Sequence, residues 1–463
     1  MTAAPNSAEA RDIAYHFHAY TNARKHREVG PLVIDRGEGI HVYDIAGNRY
    51  IEAMAGLWSV AVGFNEKRLM DAATRQMQRL PFYHNFTHKS HGPLIDLAEK
   101  LVTMMPVPMS KAFFTNSGSE ANDTAMKMIW YRANAMGEPQ RKKIISRERA
   151  YHGVTIASGS LTGLPANHRS FDLPIAGILR TGSPHHWRDA EPGESEEAFA
   201  TRRAEELETL ILAEGPETIA AFFGEPVMGA GGVVVPPATY WEKIQAVLRK
   251  YDILLVADEV ICGFGRTGAM FGCETYAIRP DIMVMSKALS SSYLPISALV
   301  ANDRVLDPIV EETDRIGTFG HGFTYTAHPV GAAIAAKTLE IYEKRNIVGH
   351  VRSVQPTFEA RVARLADHPL VGHTRACGLI GAIELVANKS DKRAFEATAS
   401  VGAAVVAAAQ RNGLILRALA GDIVAFCPPL IITDEQVNEM FDAVEKALDE
   451  VEAHVTKEGL RAA

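Results

Sequence analysis

Residues Tyr251 to Leu294 read YDILLVADEVICGFGRTGAMFGCETYAIRPDIMVMSKALSSSYL. Two apolar runs within them, ILLVA and DIMVM, are each long enough for one buried strand and too short for a buried helix. Asp258 and Glu259 follow the first run, and Lys287 follows the second. Continuous apolar strands belong in a sheet covered on both faces. In an open parallel α/β sheet, ligands bind beyond the carboxyl ends of the strands. An acid and an amine are therefore expected at one cleft, each delivered by its own strand.

A buried charge is costly unless something pairs with it. One reading of Asp258 and Lys287 is an ordinary ion pair. The other is a lysine that condenses with a cofactor aldehyde and an acid that pairs with the cofactor's ring nitrogen, the pair that pyridoxal phosphate uses. The carboxylate favours the protonated nitrogen, which makes the ring withdraw electrons. A phosphate site, a ring-stacking group and a second acid elsewhere in the chain would decide for the second reading.

Upstream, KAFFTNSGSEANDTAMKMIWYRANAMG runs from a short strand, AFFT, into Asn-Ser-Gly-Ser and a helical pattern from Glu120 to Ala135. Gly118 allows close backbone approach and Ser119 is a capping type. Free N–H groups at a helix start bind phosphate, although an ordinary N-cap uses the same residues. KKIIS followed by RERAYHG sets Tyr151 and His152 after another strand, where a tyrosine either lies on a flat ring or packs in a loop. IAAFFGEPV ends in a third strand-end acid, Glu225. A helix from Thr239 to Lys250 separates it from ILLVAD, which is βαβ alternation. Gly263 to Gly268, GFGRTG, matches the dinucleotide fingerprint, but AMFGCETYAIRPD after it lacks a helical period, so no nucleotide site is expected there. MGAGG, Met228 to Gly232, reads as a flexible turn.

Before this region, residues 1 to 30 read as a mobile tip and a helix whose aromatics, Tyr15, His16, Phe17 and Tyr20, pack against the rest of the chain. HVYDIAGNRYIEAMAG is a hairpin signal around Gly47-Asn48, and GLWSVAVGF brings Trp58 out beside glycines, as core or as a pocket wall. Two amphipathic helices between Asn65 and Met105 flank LPFYHNFTHKS, whose aromatics, Phe86 among them, suit a subunit contact or a pocket wall. Its histidines lack metal-like spacing. After Lys287 come the strand ISALVAND, then TFGHGFTYTAHP, where Thr324 offers a hydroxyl to a phosphate or a cap. A helix from Val330 to Lys344 follows, and then helices alternate with the strands CGLIGAIEL, GLILR and DIVAF. Arg417 ends GLILR, where it would reach a substrate carboxylate bidentately or pair at the surface.

With 463 residues the chain suits two to three domains. Its net charge of -7 argues against a nucleic-acid partner. The 4 cysteines lack C-x-x-C spacing, which fits neither a disulfide framework nor a zinc site and suggests a reducing compartment. No apolar signal core or membrane-length run is present, so a cytoplasmic protein without a membrane partner or a metal is expected.

Assembled, NSGSEAND, YHG, GEPV, DEVICGFGRTG, SKALSSSYLP and GFTYTAHP resemble, in order and from about Arg24 onward, the class III pyridoxal-phosphate aminotransferases of fold type I. The resemblance implies a large domain over 63–329, with a mostly parallel sheet covered by helices. It also implies a smaller discontinuous α/β domain from 1–62 and 330–463. It implies pyridoxal 5'-phosphate as cofactor, with pyridoxamine phosphate in the half-reaction. Lys287 is then the Schiff-base lysine and Asp258 the pyridinium partner. Ser117, Gly118 and Ser119 form the phosphate cup, Tyr151 stacks on the ring, His152 lies beside it and Val260 packs on the other face. Glu225 lies near Asp258 and the ring hydroxyl. Phe323 and Thr324 serve the phosphate of a neighbouring subunit, so a homodimer with shared sites is implied, with tetramers left open.

Members acting on ornithine or 4-aminobutyrate carry E-P-I-Q-G-E-G-G; here the run is EPVMGAGG, with Ala230 at the second Glu. GLW at Trp58 and KALSSSY resemble instead the amine:pyruvate (omega) subgroup, in which Trp58, Phe86 from the partner chain, Tyr151, Ala230 and Arg417 wall the substrate pocket. The implied reaction passes an amino group from an omega-amino acid or aryl-alkyl amine to pyruvate by a ping-pong mechanism. Taurine:pyruvate or other omega-amino acid aminotransferases, or a same-fold aminomutase or decarboxylase, remain alternatives.

Overall fold

A computed structural model describes residues 4–461 of the chain; the expected tip at residues 1–3 lies outside them. Among the described residues the strands form three sheets. In chain order they begin with β1 (Ile34–Glu38), β2 (His41–Asp44) and β3 (Arg49–Glu52), an antiparallel meander that extends the expected hairpin by one strand. Seven strands make the large sheet: β4 (Lys111–Thr115), β5 (Lys143–Arg147), β6 (Ile178–Thr181), β7 (Ile219–Gly224), β8 (Leu254–Asp258), β9 (Ile282–Met285) and β10 (Ser297–Ala301). There follow β11 (Val371–Cys377), β12 (Ile380–Leu385), β13 (Leu414–Ile415), β14 (Arg417–Leu419) and β15 (Ile423–Phe426).

The large sheet has the order β4-β10-β9-β8-β7-β5-β6. From β9 to β6 every pairing is parallel, while β10 runs antiparallel to both neighbours. The reversal follows from chain length. A parallel return needs a crossover of about a dozen or more residues, usually a helix, and the 286–296 connection holds only the short turn at Lys287. Side chains alternate across the sheet. Leu254, Val256, Ile282 and Val284 face one apolar cluster, and Leu255, Ala257, Met283 and Met285 face the other. The second of these continues from Ile40 near the N-terminus to Val455 in the final helix.

Two sequence expectations need correction. GLILR is not one strand ending at Arg417. It divides at Leu416, β13 pairing in parallel with β3 and β14 pairing with β15, so Arg417 opens a strand of a different sheet. Of the N-terminal aromatics, Tyr15 and Phe17 do not pack. Residues Ala8–Tyr15 and Ala23–Val29 form two short helices with no buried residue, and Tyr15 and Phe17 are largely exposed. The helix Asp303–Ile316 carries a weak sequence signal, since only Val305 and Ile309 are buried in it and Pro308 lies inside. GFGRTG forms turns as expected, and Arg266 within it donates to the carbonyls of Leu379 and Pro428 at 2.8 and 2.6 Å. No helix among the described residues is long and apolar enough to cross a membrane.

Candidate active site

The carboxyl ends of β4, β5, β7, β8 and β9 open on one cavity of about 750 Å³. Asp258 reaches it from the end of β8, Lys287 from just past β9 and Glu225 from just past β7. Tyr151 and His152 come from the segment after β5, and Gly118, Ser119 and Asn122 from the helix after β4. Trp58, Ala230, Val260 and Arg417 complete the walls that the sequence singled out.

Asp258 is buried and held on three sides. Its Oδ2 accepts from Asn122 Nδ2 at 2.9 Å and lies 2.8 Å from His152 Nδ1, and its Oδ1 accepts from the Val260 N–H at 3.1 Å. Asn122 also donates to the His152 carbonyl at 2.8 Å, which locks acid, imidazole and helix together. Glu259, next in sequence, points away. Its carboxylate accepts from the N–H groups of Gly272 and Cys273 at 2.9 and 2.6 Å. Alternation along the chain sends the two adjacent acids to different tasks.

Lys287 has a φ of +49°, a left-handed conformation that costs a non-glycine residue about 1–3 kcal/mol and clusters at functional sites. Burial lowers its amine from 10.5 to about 8, against the opposing pull of Asp258. Burial likewise pushes Glu225 up to about 7. Behind Glu225, fully buried Arg147 donates to its backbone carbonyl at 2.7 Å and lies 3.8 Å from its carboxylate. The Tyr151 N–H donates to Glu225 Oε2 at 3.4 Å.

Ser117 caps the helix Gly118–Ala135, accepting from the Glu120 N–H at 3.2 Å, and does not itself line the cavity. A Cβ on Gly118 would stand 3.2 Å from the Val260 side chain, so a larger residue at that helix start would push Val260 back. Phe86, Phe323 and Thr324 lie outside this chain's cavity. They neighbour one another, since a Cβ on Gly322 would meet the Phe86 ring at 2.8 Å.

Asn122, Arg147 and Glu52, which sequence reasoning passed over, belong to the site or its support, as does Tyr20, expected only to pack. Asn122 follows Ser119 by three residues on one helix face, a periodicity that points it where Ser119 points. Glu52 is an acid at the buried end of β3, and burial raises it to about 7. It accepts the Gly56 N–H and so braces a turn with positive φ at Ala55, Gly56 and Trp58. Tyr20 had no local signal. Its ring lines the cavity and lies 5.9 Å from the Arg417 guanidinium. Among the described residues no carboxylate pairs with that guanidinium.

A profile of the family described as Aminotransferase class-III matches residues 21–448. The chain belongs to the class III aminotransferases. The aminotransferase is 51% identical over 437 residues to gamma aminobutyrate transaminase 1, mitochondrial, of Solanum lycopersicum, covering 94% of this chain and 85% of that one. It is similar to the solved omega transaminase of Pseudomonas jessenii in complex with PMP, with TM-score 0.96, 57% identity and coverage of 97% and 99%. A thermostable omega transaminase variant, W58M/F86L/R417L, engineered for asymmetric synthesis of enantiopure bulky amines, matches with TM-score 0.96, 56% identity and coverage of 97% and 100%.

Class III aminotransferases use pyridoxal 5'-phosphate, in a fold of type I. The residues present here fit that group. Three buried polar atoms in the cavity wall, Asn122 Oδ1, His152 Nε2 and Glu225 Oε1, make no hydrogen bond within the protein. Beside them lie a glycine-walled helix start able to take a phosphate and an amine of lowered pKa.

Proposed function

We propose that this aminotransferase passes an amino group from a primary amine, an omega-amino acid or aryl-alkyl amine, to pyruvate, releasing alanine and an aldehyde or ketone in two half-reactions. The observation that carries the reading is Arg417. It is a guanidinium in a wall shared with Trp58, Leu57, Tyr20 and Ala230, and among the described residues no carboxylate claims it. Such a wall takes a small carboxylate on its one cation and an apolar amine on its aromatics. Ala230 leaves Arg417 without the glutamate that would neutralise it. The variant W58M/F86L/R417L of an omega transaminase bears changes at numbers where this chain also has Trp, Phe and Arg, which supports these residues as substrate walls. The gamma-aminobutyrate transaminases among the relatives favour an omega-amino acid as donor.

When bound, pyridoxal phosphate supplies an aldehyde for the amine and a ring that withdraws electrons. The chain's residues do the rest. Gly118 and Ser119 would present backbone N–H groups to the cofactor's phosphate, and Tyr151 and Val260 would hold its ring. Asp258, fixed by Asn122 and His152, would keep a proton on its ring nitrogen. Glu225 lies within reach of a ring hydroxyl. Lys287 Nζ would take a proton from the substrate carbon and deliver it to the group that receives the amine, and burial keeps a share of this amine neutral near physiological pH. A positioned base of this kind contributes about 10²–10⁴-fold.

Phe86, Phe323 and Thr324, grouped outside the chain's own cavity, support a homodimer in which each subunit completes the other's site. The exposed aromatics around them, Phe82, Tyr83 and Tyr325, give that contact its apolar area. The test of the whole reading is a panel of 4-aminobutyrate, β-alanine, taurine and 1-phenylethylamine, each supplied with pyruvate or 2-oxoglutarate. Alanine formation is expected. Glutamate formed from 2-oxoglutarate, with no alanine from pyruvate, would overturn the acceptor.

A further inference from the structure

Outside the catalytic cavity, one side-chain cluster has a composition that its local packing does not explain. Asp12, in the helix Ala8–Tyr15, faces three imidazoles. His16 Nδ1 lies 3.2 Å from its Oδ1, and His18 Nε2 and His26 Nε2 lie 2.7 and 3.0 Å from its Oδ2. The His18 ring sits 4.2 Å from that of His16 and 4.1 Å from that of His26, centre to centre. Ligand atoms of Asp12, His16 and His18 all fall within 4.8 Å of one another. In a tetrahedral zinc site with bonds of about 2.0–2.1 Å, neighbouring ligand atoms stand about 3.3 Å apart, so side-chain rotation that opens the 2.7 Å His18–Asp12 contact and draws in the wider pairs would meet that geometry.

The geometry points to a site for a divalent transition cation of the zinc class, with Asp12, His16 and His18 as ligands and His26 bound to the carboxylate as its outer partner. Two imidazoles and one carboxylate suit zinc and its neighbours; calcium and magnesium favour all-oxygen sets. Asp12 and His16, four apart, share one face at the helix end. The site is reachable, since the His16 side chain is 62% exposed. His26, only 11% exposed, is placed as outer partners of metal ligands are, orienting a ligand through a hydrogen bond.

The cation has a structural task here. Neither the helix Ala8–Tyr15 nor the helix Ala23–Val29 contains a buried residue, so apolar packing gives the corner little rigidity. The strap between them carries Ala19 and Tyr20 into the cavity wall, with Tyr20 at φ +49° and its hydroxyl accepting from Asn167 Nδ2 at 2.5 Å. A cation on His16 and His18 would pin this strap two residues from Tyr20. This coupling is independent of which amine the enzyme uses.

The test is calorimetric titration of the cofactor-loaded, chelator-stripped, tag-free enzyme with Zn²⁺. One site per chain is expected that H16Q/H18Q lacks, while H26Q should keep the site at about 10- to 100-fold weaker affinity. Equal uptake by wild type and H16Q/H18Q would overturn the site, as would no uptake by wild type. An H26Q with unaltered affinity would overturn the outer-partner assignment. Amide exchange across residues 12–26 should slow with Zn²⁺ in wild type and stay unchanged in H16Q/H18Q. Exchange indifferent to Zn²⁺ in wild type would overturn the pinning of the strap.

Discussion

Replacing Arg417 with Leu separates the two halves of the proposed reaction. The guanidinium lies in the cavity wall with the Tyr20 ring 5.9 Å away and, among the described residues, no carboxylate paired to it, so its removal strands no buried acid there. What is lost is a charge-assisted, bidentate contact to a substrate carboxylate, worth about 1.5–3 kcal/mol. At about 1.36 kcal/mol per tenfold in rate, that is about 10- to 150-fold in kcat/KM for pyruvate. An uncharged amine such as 1-phenylethylamine makes no such contact, so its half-reaction should change by less than about threefold, within the few tenths of a kcal/mol that a lost apolar contact costs. Single-turnover mixing, followed by cofactor absorbance, measures each half-reaction alone: amine against the pyridoxal form, pyruvate against the pyridoxamine form. Arg417→Lys should recover only part of the pyruvate rate, because a point charge cannot reproduce the bidentate fork. Equal losses in both halves would refute the carboxylate role and leave Arg417 a structural residue.

Three further outcomes are expected. Lys287→Ala should abolish steady turnover and the visible absorbance of bound cofactor; sustained turnover would exclude Lys287 as the base. Glu225 keeps its proton in the folded chain up to about 7, against 4.5 ordinarily. The folded state therefore binds more protons across that window, and stability is lost as pH rises through it. In cofactor-free protein, Glu225→Gln should shrink the fall in Tm between pH 5 and pH 8, and an undiminished fall would count against the burial argument. Lys287→Ala and Thr324→Ala chains, each impaired alone, should regain one intact site when paired as a mixed dimer, since Lys287 of one subunit and Thr324 of the other are then both present. Activity that never exceeds that of the separate variants would exclude shared sites.

Much of the site was legible because the large-sheet strands that reach the cavity carry their chemistry at their own carboxyl ends. ILLVAD ends in Asp258, IAAFFGE in Glu225, and the run before Lys287 in that lysine, so the apolar period and the functional residue are read from one short stretch. The NSGS turn is local in the same way, a strand stop and a helix start within a few residues. Even the antiparallel β10 is foreshadowed by the short connection that precedes it. The division of GLILR between two sheets is not local. Only the pairing of β13 with β3, far off in the chain, set against the local β14–β15 hairpin, decides that Leu416 is a break and Arg417 a beginning.

The same distinction governs which residues reasoning from the chain alone could reach. Asp258 and Glu259 are adjacent and chemically alike, yet one faces the cavity and the other caps the Gly272–Thr275 turn, a choice made by where each finds donors. Tyr20, Glu52 and Arg147 sit in segments whose patterns say nothing of catalysis. They reach the cavity or its back wall through contacts with residues far off in the chain, or through a strained turn at Trp58. The order of strands, the ends at which ligands gather and the amine and acid there were determined by the sequence, because period and composition act over a few residues. Which side chains share that space, and which stay outside it as Phe86 and Thr324 do, was decided by tertiary structure, because packing and desolvation depend on neighbours the chain supplies only after it has folded.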